Sequence, residues 1–161
     1  MQIIRKATQS DLLAVATINT RNWRETYTNI LPDEYLNTLS VAESQKKWQK
    51  FIENRVTTLQ VVEIDNEIAG FVATSNDDQI ESAIYVDALH ISNHFQRKGL
   101  GTKLLNKVLE EAHQHNKRVT IAILKGNDNA RNLYTKQGAT HLEDFTDHFG
   151  PVVTKSERLI W

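Results

Sequence analysis

The spacing of apolar residues changes partway along this chain of 161 residues, at Thr58. Before Thr58, apolar side chains recur three and four positions apart, as between Leu12 and Ile18, which predicts amphipathic helices. After it come strand-like runs such as TLQVVEI and IAGFVATS, joined by the turn Asp65-Asn66-Glu67. The change predicts a short first strand in QIIRKA, helices in the rest of the first third, and a sheet built mainly from the remainder.

The later segments complete this prediction. The expected elements are a strand in ESAIYVDALHI, a helix over residues 101–115, a strand in RVTIAIL, a short helix in NDNARNLYTKQG, and two closing strands in ATHLEDF and PVVTKSERLIW. The uninterrupted apolar run RVTIAIL indicates a strand buried on both faces. No linker or repeat interrupts the order β-α-α-β-β-β-α-β-α-β-β. Residues 1–161 are therefore expected to form a single α/β (α+β) domain with a mixed, mostly antiparallel sheet.

The composition narrows the function classes. Lys and Arg number 19 against 20 Asp and Glu, so the chain as a whole is not expected to bind nucleic acid. It has no cysteine, which excludes a disulfide framework, a thiol nucleophile and a thiolate metal site. The histidines show no metal-ligand spacing, so no metal site is expected. No apolar run has the length of a membrane span, and the start MQIIRKATQSD lacks the apolar segment of a signal peptide. A cytoplasmic protein with no membrane partner is expected.

The segment QRKGLGTK, residues 96–103, lies between a predicted strand and a predicted helix. The first N–H groups of a helix have no intrahelical acceptor, and the helix dipole adds partial positive charge there. Gly99 and Gly101 carry no Cβ atom that would keep a ligand from the main chain, and Arg97 and Lys98 add formal charge. Such a loop suits a phosphate or a diphosphate, although a solvated basic turn would use the same residues.

Two common nucleotide-binding loops do not fit the spacing. A Walker loop needs four residues between its glycines, and here Leu100 alone separates them. The dinucleotide fingerprint needs a third glycine three positions beyond Gly101, where Leu104 stands. The surrounding residues must therefore decide what the loop binds.

Three motifs together resemble the GCN5-related N-acetyltransferase (GNAT) family. They are Leu89-His90-Ile91, Gln96-x-x-Gly99-x-Gly101 and Asn127-x-x-Ala130-x-x-Leu133-Tyr134, and the order of elements is similar to that fold along nearly the whole chain. The resemblance implies an enzyme that transfers an acetyl group directly from acetyl-CoA to a primary amine. By the same resemblance, the cofactor-binding residues are Leu89, His90, Ile91, Gln96, Arg97, Lys98, Gly99, Leu100, Gly101, Thr102, Asn127 and Tyr134.

The resemblance also implies how the chemistry is divided. In the family, a main-chain N–H group of a splayed strand donates to the thioester oxygen, and the matching residues are Leu89 and Ile91. The matching general acid is Tyr134, whose hydroxyl is protonated at neutral pH because an unperturbed tyrosine titrates near ~10. A half-buried tyrosine that only hydrogen-bonds to the cofactor is the alternative. Asn127 is expected to cap its helix and to contact the cofactor.

The general base is where this chain departs from the family. Relatives place a glutamate at one of two positions, which here are Tyr85 and Ala122. Asp87 is the nearest substitute, because strand alternation puts it on the same face as Tyr85. His90 has a suitable pKa, but regular alternation puts it on the opposite face unless a bulge intervenes. A chain of water molecules without a dedicated base is the third alternative.

The acceptor is expected to be a small-molecule or polyamine-like amine. The N-terminal half, with Trp23, Tyr27 and LPDEYL, resembles a bacterial subgroup of small acetyltransferases, some of which act on polyamines. Trp23, Trp48 and Tyr27 fit a core better than a pocket, yet Tyr27 and Glu25 are the best candidates there for recognising a cationic amine, with Tyr85 on the strand. A protein N-terminus or lysine as acceptor, and a non-catalytic CoA-binding regulator, stay open as alternatives. Relatives are often dimers, so a homodimer is a further expectation.

Overall fold

The computed structural model describes all 161 residues. The strands are Gln2–Lys6 (β1), Thr58–Ile64 (β2), Glu67–Asn76 (β3), Ala83–Ile91 (β4), Arg118–Leu124 (β5), Thr140–Phe149 (β6) and Val152–Ile160 (β7). The helices are Leu12–Thr26 (α1), Asp33–Leu36 (α2), Val41–Glu53 (α3), Leu100–Gln114 (α4) and Asp128–Lys136 (α5). The predicted order is confirmed, with the early helical region divided into three segments, of which α2 is a single turn. No helix is both long and apolar enough to cross a lipid bilayer.

All seven strands join one sheet in the order β1-β2-β3-β4-β5-β7-β6. The pair β4–β5 is parallel and every other neighbouring pair is antiparallel, which confirms the mixed, mostly antiparallel sheet. The last strand of the chain, β7, inserts between β5 and β6. The β6–β7 hairpin therefore lies beside the parallel pair.

Helices cover both faces of the sheet. On one face, called the α4 face, α4 and α5 pack on the strands through a buried cluster that includes Leu104, Leu105 and Val119. On the other, called the α1 face, α1 and α3 pack on β2 and β3, with the rings of Trp48 and Phe71 5.3 Å apart. A central strand in such a sheet has no face in water, which explains the uninterrupted apolar run of β5.

Strands β4 and β5 pair over only half of their length. Their register runs from Ala83 opposite Arg118 to Val86 opposite Ile121 and then stops. Beyond this point β4 continues along β3, whereas β5 continues along β7. The two strands diverge, and a gap opens between their C-terminal halves.

A bulge lies on β4 at the point where the gap opens. Ala88 is opposite Ala73 and Val86 is opposite Thr74, so Asp87 has no partner on β3. An extra residue reverses the alternation of side chains beyond it. His90 consequently lies on the α1 face, with its ring 5.6 Å from that of Phe71, and shares this face with Tyr85. Regular alternation would have put His90 on the opposite face, and the bulge, which the sequence analysis left open as the exception, is the case found in the structure.

Candidate active site

A cavity of about 820 Å³ occupies the gap between β4 and β5. It extends from the turn that precedes α4 to the end of α1 and the β6–β7 hairpin. Most of the residues predicted for the site meet on its walls. They are Glu25, Tyr27, Tyr85, Asp87, Leu89, His90, Ile91, Gln96, Gly101, Asn127 and Tyr134.

The free edge of β4 turns main-chain N–H groups towards the cavity. The His90 carbonyl oxygen faces β3, because a Cβ atom on Gly70 would lie 2.7 Å from it. The N–H of Ile91 belongs to the same peptide group and points the opposite way, into the gap. Leu89 is two residues earlier on the strand, so its N–H has the same direction.

The turn before α4 has the backbone that a basic anion loop requires. Gly99, at φ 78°, precedes the first residue of the helix, and Arg97 also has a positive φ of 62°. Gln96 and Gly101 line the cavity, whereas the side chains of Arg97 and Lys98 are exposed. Leu100 is buried in the core of the α4 face, so its side chain is not available to a cofactor. The prediction that Leu100 binds the cofactor can therefore hold only for its main chain.

Tyr134 lies in the deep part of the cavity, with 6% of its surface exposed. Its ring meets that of Trp161 edge to face at 5.9 Å. Burial raises the pKa of the Tyr134 hydroxyl, and the neighbouring Tyr27 raises it further. The hydroxyl therefore keeps its proton over a wide pH range. Asn127 caps the helix that carries Tyr134, as predicted, by accepting a hydrogen bond from the N–H of Ala130 at 3.4 Å.

The two candidate bases have opposite shifts in pKa. Asp87 is exposed at the cavity wall, but the surrounding protein partly desolvates its carboxyl and raises its pKa, while a 2.7 Å hydrogen bond from the Ser75 hydroxyl and the charge of Lys47 partly offset this effect. Burial lowers the pKa of His90 to about 4, and Lys47 lowers it too. At neutral pH His90 is thus an uncharged ring and a weak base. The pKa of Asp87 is therefore shifted in the direction that favours a base, and the pKa of His90 in the opposite direction.

The rest of the cavity wall combines aromatic rings and carboxylates. Trp23 contacts Tyr27, with ring centroids 4.6 Å apart, and Phe149 from the β6–β7 hairpin, at 5.4 Å. Asp147 also lines the cavity. Glu25 accepts a 2.5 Å hydrogen bond from Asn93, whose Oδ1 accepts one from Gln96, so Glu25 lies towards the turn that precedes α4. Trp23 and Tyr27 line the cavity and also pack against a small buried cluster, so the expectation that they are core residues holds for them only in part. Trp48 is a core residue, as expected.

A model of the acetyltransferase (GNAT) family matches residues 15–139, which is more than half of the chain. The chain belongs to the GNAT family. The uncharacterized N-acetyltransferase YuaI of Bacillus subtilis is 29% identical over 119 residues, covering 71% of this chain and 66% of that protein.

Two solved structures share this GNAT fold. The paia N-acetyltransferase of Thermoplasma acidophilum, in complex with coenzyme A, has a TM-score of 0.77 and 17% identity, and the match covers 99% of this chain and 97% of that one. The protein yncA of Salmonella typhimurium, with its cofactor acetyl-CoA, has a TM-score of 0.74 and 17% identity, with 100% and 93% covered.

Asn22, Asp147 and Phe149 line the cavity and were missed by the sequence analysis. Asn22 lies on α1. Asp147 and Phe149 lie on β6, and β7 carries them to the cavity by pairing with β5. The alternation of Phe145, Asp147 and Phe149 was the available signal, because it puts all three on one face of a strand.

Outside the GNAT cleft, His141, Asp144 and Glu157 have polar atoms within 4.8 Å of one another. Sequence spacing could not indicate this cluster, because it forms across the β6–β7 pair. Arg131 donates two hydrogen bonds to Glu157, at 2.8 and 3.2 Å, and Lys125 lies 2.8 Å from the Asp144 carboxylate. The cluster is thus an ion-pair network whose carboxylates are already neutralised.

Proposed function

We propose that this protein is an acetyl-CoA-dependent N-acetyltransferase that acts on a small cationic amine. The observation that carries the proposal is one cavity that is lined by Gln96 and Gly101 of the turn before α4, by the carboxylates of Asp87 and Asp147, by the rings of Trp23 and Tyr27, and by Tyr134. The exposed charges of Arg97 and Lys98 belong to the same turn. An anionic donor and a cationic acceptor can meet in such a cavity.

The donor end suits the diphosphate of a CoA thioester. The free N–H groups at the start of α4 and the exposed charges of Arg97 and Lys98 would hold the phosphates, with Gln96, Gly99 and Thr102 completing the turn. A Cβ atom on Gly101 would meet protein atoms only at 3.8 Å and beyond, so the glycine leaves open space beside the helix. The complexes of the two structural neighbours with CoA and acetyl-CoA support the same donor.

When bound, acetyl-CoA supplies the acetyl group as a thioester, whose carbon–sulfur bond breaks as the bond to the amine nitrogen forms. The N–H groups of Leu89 and Ile91 would stabilise the negative charge that develops on the carbonyl oxygen. Tyr134 would donate its hydroxyl proton to the departing sulfur and recover it from solvent. A buried and protonated hydroxyl suits this role, and Asn127 orients the first turn of its helix.

Asp87 is the proposed base. An alkylammonium must lose a proton before it attacks, and its unperturbed pKa is about 10.4. Asp87 lies at the bulge where the gap opens, its pKa is raised by partial desolvation, and the Ser75 hydroxyl orients it. His90 lies on the same face, but its ring packs on Phe71 and burial lowers its pKa to about 4, whereas the pKa of Asp87 is shifted upwards.

The acceptor end favours a compact cation. The carboxylates of Asp87 and Asp147 and the rings of Tyr85, Trp23 and Tyr27 line the same cavity. In the proposed complex they would surround the amine. Carboxylates and aromatic faces are the groups that attract an ammonium ion. A small amine with a second positive charge fits this lining best.

A cytoplasmic location of the protein stays a prediction.

Thiol release from acetyl-CoA tests the proposal, measured with monoamines, diamines and peptides that present an N-terminus or a lysine. We expect diamines to be acetylated with the highest kcat/KM. A preference for a peptide would mean that the acceptor is a protein, while the acetyl transfer itself would stand. Tight CoA binding by calorimetry without turnover on any acceptor would indicate a regulator, and no binding of CoA would overturn the proposal.

A further inference from the structure

Asn22 belongs to α1, but its side chain reaches the end of β4 inside the cleft. It is 6% exposed and lines the cavity. Its Nδ2 group donates a 2.9 Å hydrogen bond to the carbonyl oxygen of Ile91, the last residue of β4. No step proposed above uses this residue.

The Ile91 carbonyl lies where the sheet has lost a strand. In a continuous sheet, an N–H group of β5 would donate to this oxygen, but pairing with β5 stops at Val86. Here Asn22 and Gln96 take the place of that strand, because Gln96 Nε2 also donates to the Ile91 oxygen, at 3.1 Å. The free edge of β4 is therefore held by side chains.

The orientation of the Asn22 amide group is set by this contact. Reversing the group would turn Oδ1 towards the Ile91 oxygen, and two acceptors cannot form a hydrogen bond. In the orientation that the contact requires, Oδ1 is buried and has no hydrogen-bond partner. A leucine of similar size would avoid that unsatisfied group. What an asparagine contributes here is an amide donor, which reaches the Ile91 oxygen at 2.9 Å and lies 3.5 Å from Nδ1 of the His90 ring, at a cost to the stability of the fold.

Asn22 holds the peptide group between Ile91 and Ser92, which directly follows the peptide group whose N–H faces the cavity. The N–H of Ser92 donates to the Ala69 carbonyl oxygen at 2.8 Å, so the Ile91–Ser92 peptide group is held from both sides. The preceding peptide directs the Ile91 N–H into the gap, as the close approach of His90 to Gly70 requires. Rotation of one peptide group changes the direction of the next, because they share a Cα atom.

We propose that Asn22 is a positioning residue, which aims the N–H groups of Ile91 and Leu89 at the thioester oxygen by holding the Ile91 carbonyl. The inference rests on the proposed function, since it assigns a reason for the geometry of that site. Asn22 itself touches no reacting atom in this account and acts through the β4 main chain.

The test replaces Asn22 with leucine and measures three quantities. The first is kcat with a diamine, the second is the Kd of unacetylated CoA, and the third is the carbonyl stretching frequency of ¹³C-labelled acetyl-CoA bound to the protein. Hydrogen-bond donors lower that frequency. We expect Asn22→Leu to reduce kcat by about tenfold or more, to change the Kd of CoA by less than about twofold, and to move the frequency towards its value in solution.

Thr20 provides the matched control, because it is a buried polar residue of the same helix whose hydroxyl faces the Ser40 carbonyl rather than β4. Thr20→Val should leave kcat and the carbonyl frequency unchanged. An Asn22→Leu protein with the wild-type frequency, or an equal loss of kcat in Thr20→Val, would overturn the proposal. Asn22→Ala gives the same readings if the leucine variant does not fold. A wild-type protein that lowers the frequency but acetylates no amine would refute the proposed function alone.

Discussion

Gly70 of β3 lies against the main chain of His90 so closely that residue 70 has no room for a side chain. A Cβ atom there would lie 2.5 Å from Ile91 Cδ1 and 2.7 Å from the His90 carbonyl oxygen. Because the oxygen belongs to the backbone, Gly70→Ala must displace β4 and tilt the peptide that directs the Ile91 N–H into the cavity. We expect the free energy of unfolding to fall by about 1–3 kcal/mol and kcat to fall with it. Urea denaturation and steady-state kinetics test this, and an alanine variant with wild-type values for both would contradict it.

Tyr134→Phe should lower kcat by about a hundredfold without weakening CoA binding. The substitution removes the proton donor but keeps the buried ring in place against Trp161. Because burial raises the pKa of the wild-type hydroxyl, kcat should not decline on the alkaline side until well above pH ~10. Kinetics and calorimetry with CoA check these effects. Tyr35→Phe is the matched control, since Tyr35 lies outside the cavity, and equal kinetics for both variants would remove the acid role.

The pH dependence of kcat at saturating amine tests Asp87. A base works when ionised, so kcat should rise with pH through the pKa of Asp87, which partial desolvation has raised above its usual range. The hydrogen bond from Ser75 favours the ionised form, so Ser75→Ala should raise that pKa and move the ascending limb to higher pH. Asp87→Asn should lower kcat and abolish this limb. If kcat of the Asp87→Asn enzyme has the wild-type dependence on pH, Asp87 is not the base and water removes the proton.

Much of the fold and part of the site follow from local patterns. The side of α4 that is buried follows from the helical spacing of apolar residues around Leu104, and the burial of β5 on both faces follows from its apolar run. Both patterns can be seen in the sequence. The turn around Gly99 and the position of Tyr134 near the end of α5 are local as well. These features were predicted correctly because short-range spacing determines them.

A bulge in β4 was considered from the sequence, but its position at Asp87 could not be predicted, because it depends on how β4 pairs with β3. A single extra residue there moved His90 to the α1 face. The acceptor wall was missed for a related reason, since Asp147 reaches the cavity only because β7 pairs with β5. The contact between Asn22 and Ile91 joins residues 69 positions apart. Each of these features depends on a long-range pairing. Local alternation puts Phe145, Asp147 and Phe149 on one face of a strand, but it does not indicate what that face meets.

Gly101→Ala should separate folding from donor binding. A Cβ atom at this position would meet Ile91 and Leu133 at 3.8 and 4.0 Å, which are ordinary contacts, and alanine favours a helix over glycine by about 1 kcal/mol. The variant should therefore be at least as stable as the wild type. It should bind CoA about tenfold more weakly, because the methyl group would stand between the main chain and the diphosphate. Thermal unfolding and calorimetry with CoA measure the two effects, and undiminished CoA binding would show that the diphosphate lies elsewhere.

Asp147→Asn tests how the acceptor is recognised. If Asp147 binds a second ammonium group, the loss of its charge should raise KM for a diamine by about tenfold and leave a monoamine of equal length nearly unaffected, since a charge-assisted hydrogen bond contributes about 1.5–3 kcal/mol. Asp144→Asn is the matched control, because this residue lies on the same strand but pairs with Lys125 outside the cavity. The deciding measurement is kcat/KM for the diamine divided by kcat/KM for the monoamine. It should fall in Asp147→Asn and stay constant in Asp144→Asn, and an unchanged ratio in both would mean that Asp147 does not select the acceptor.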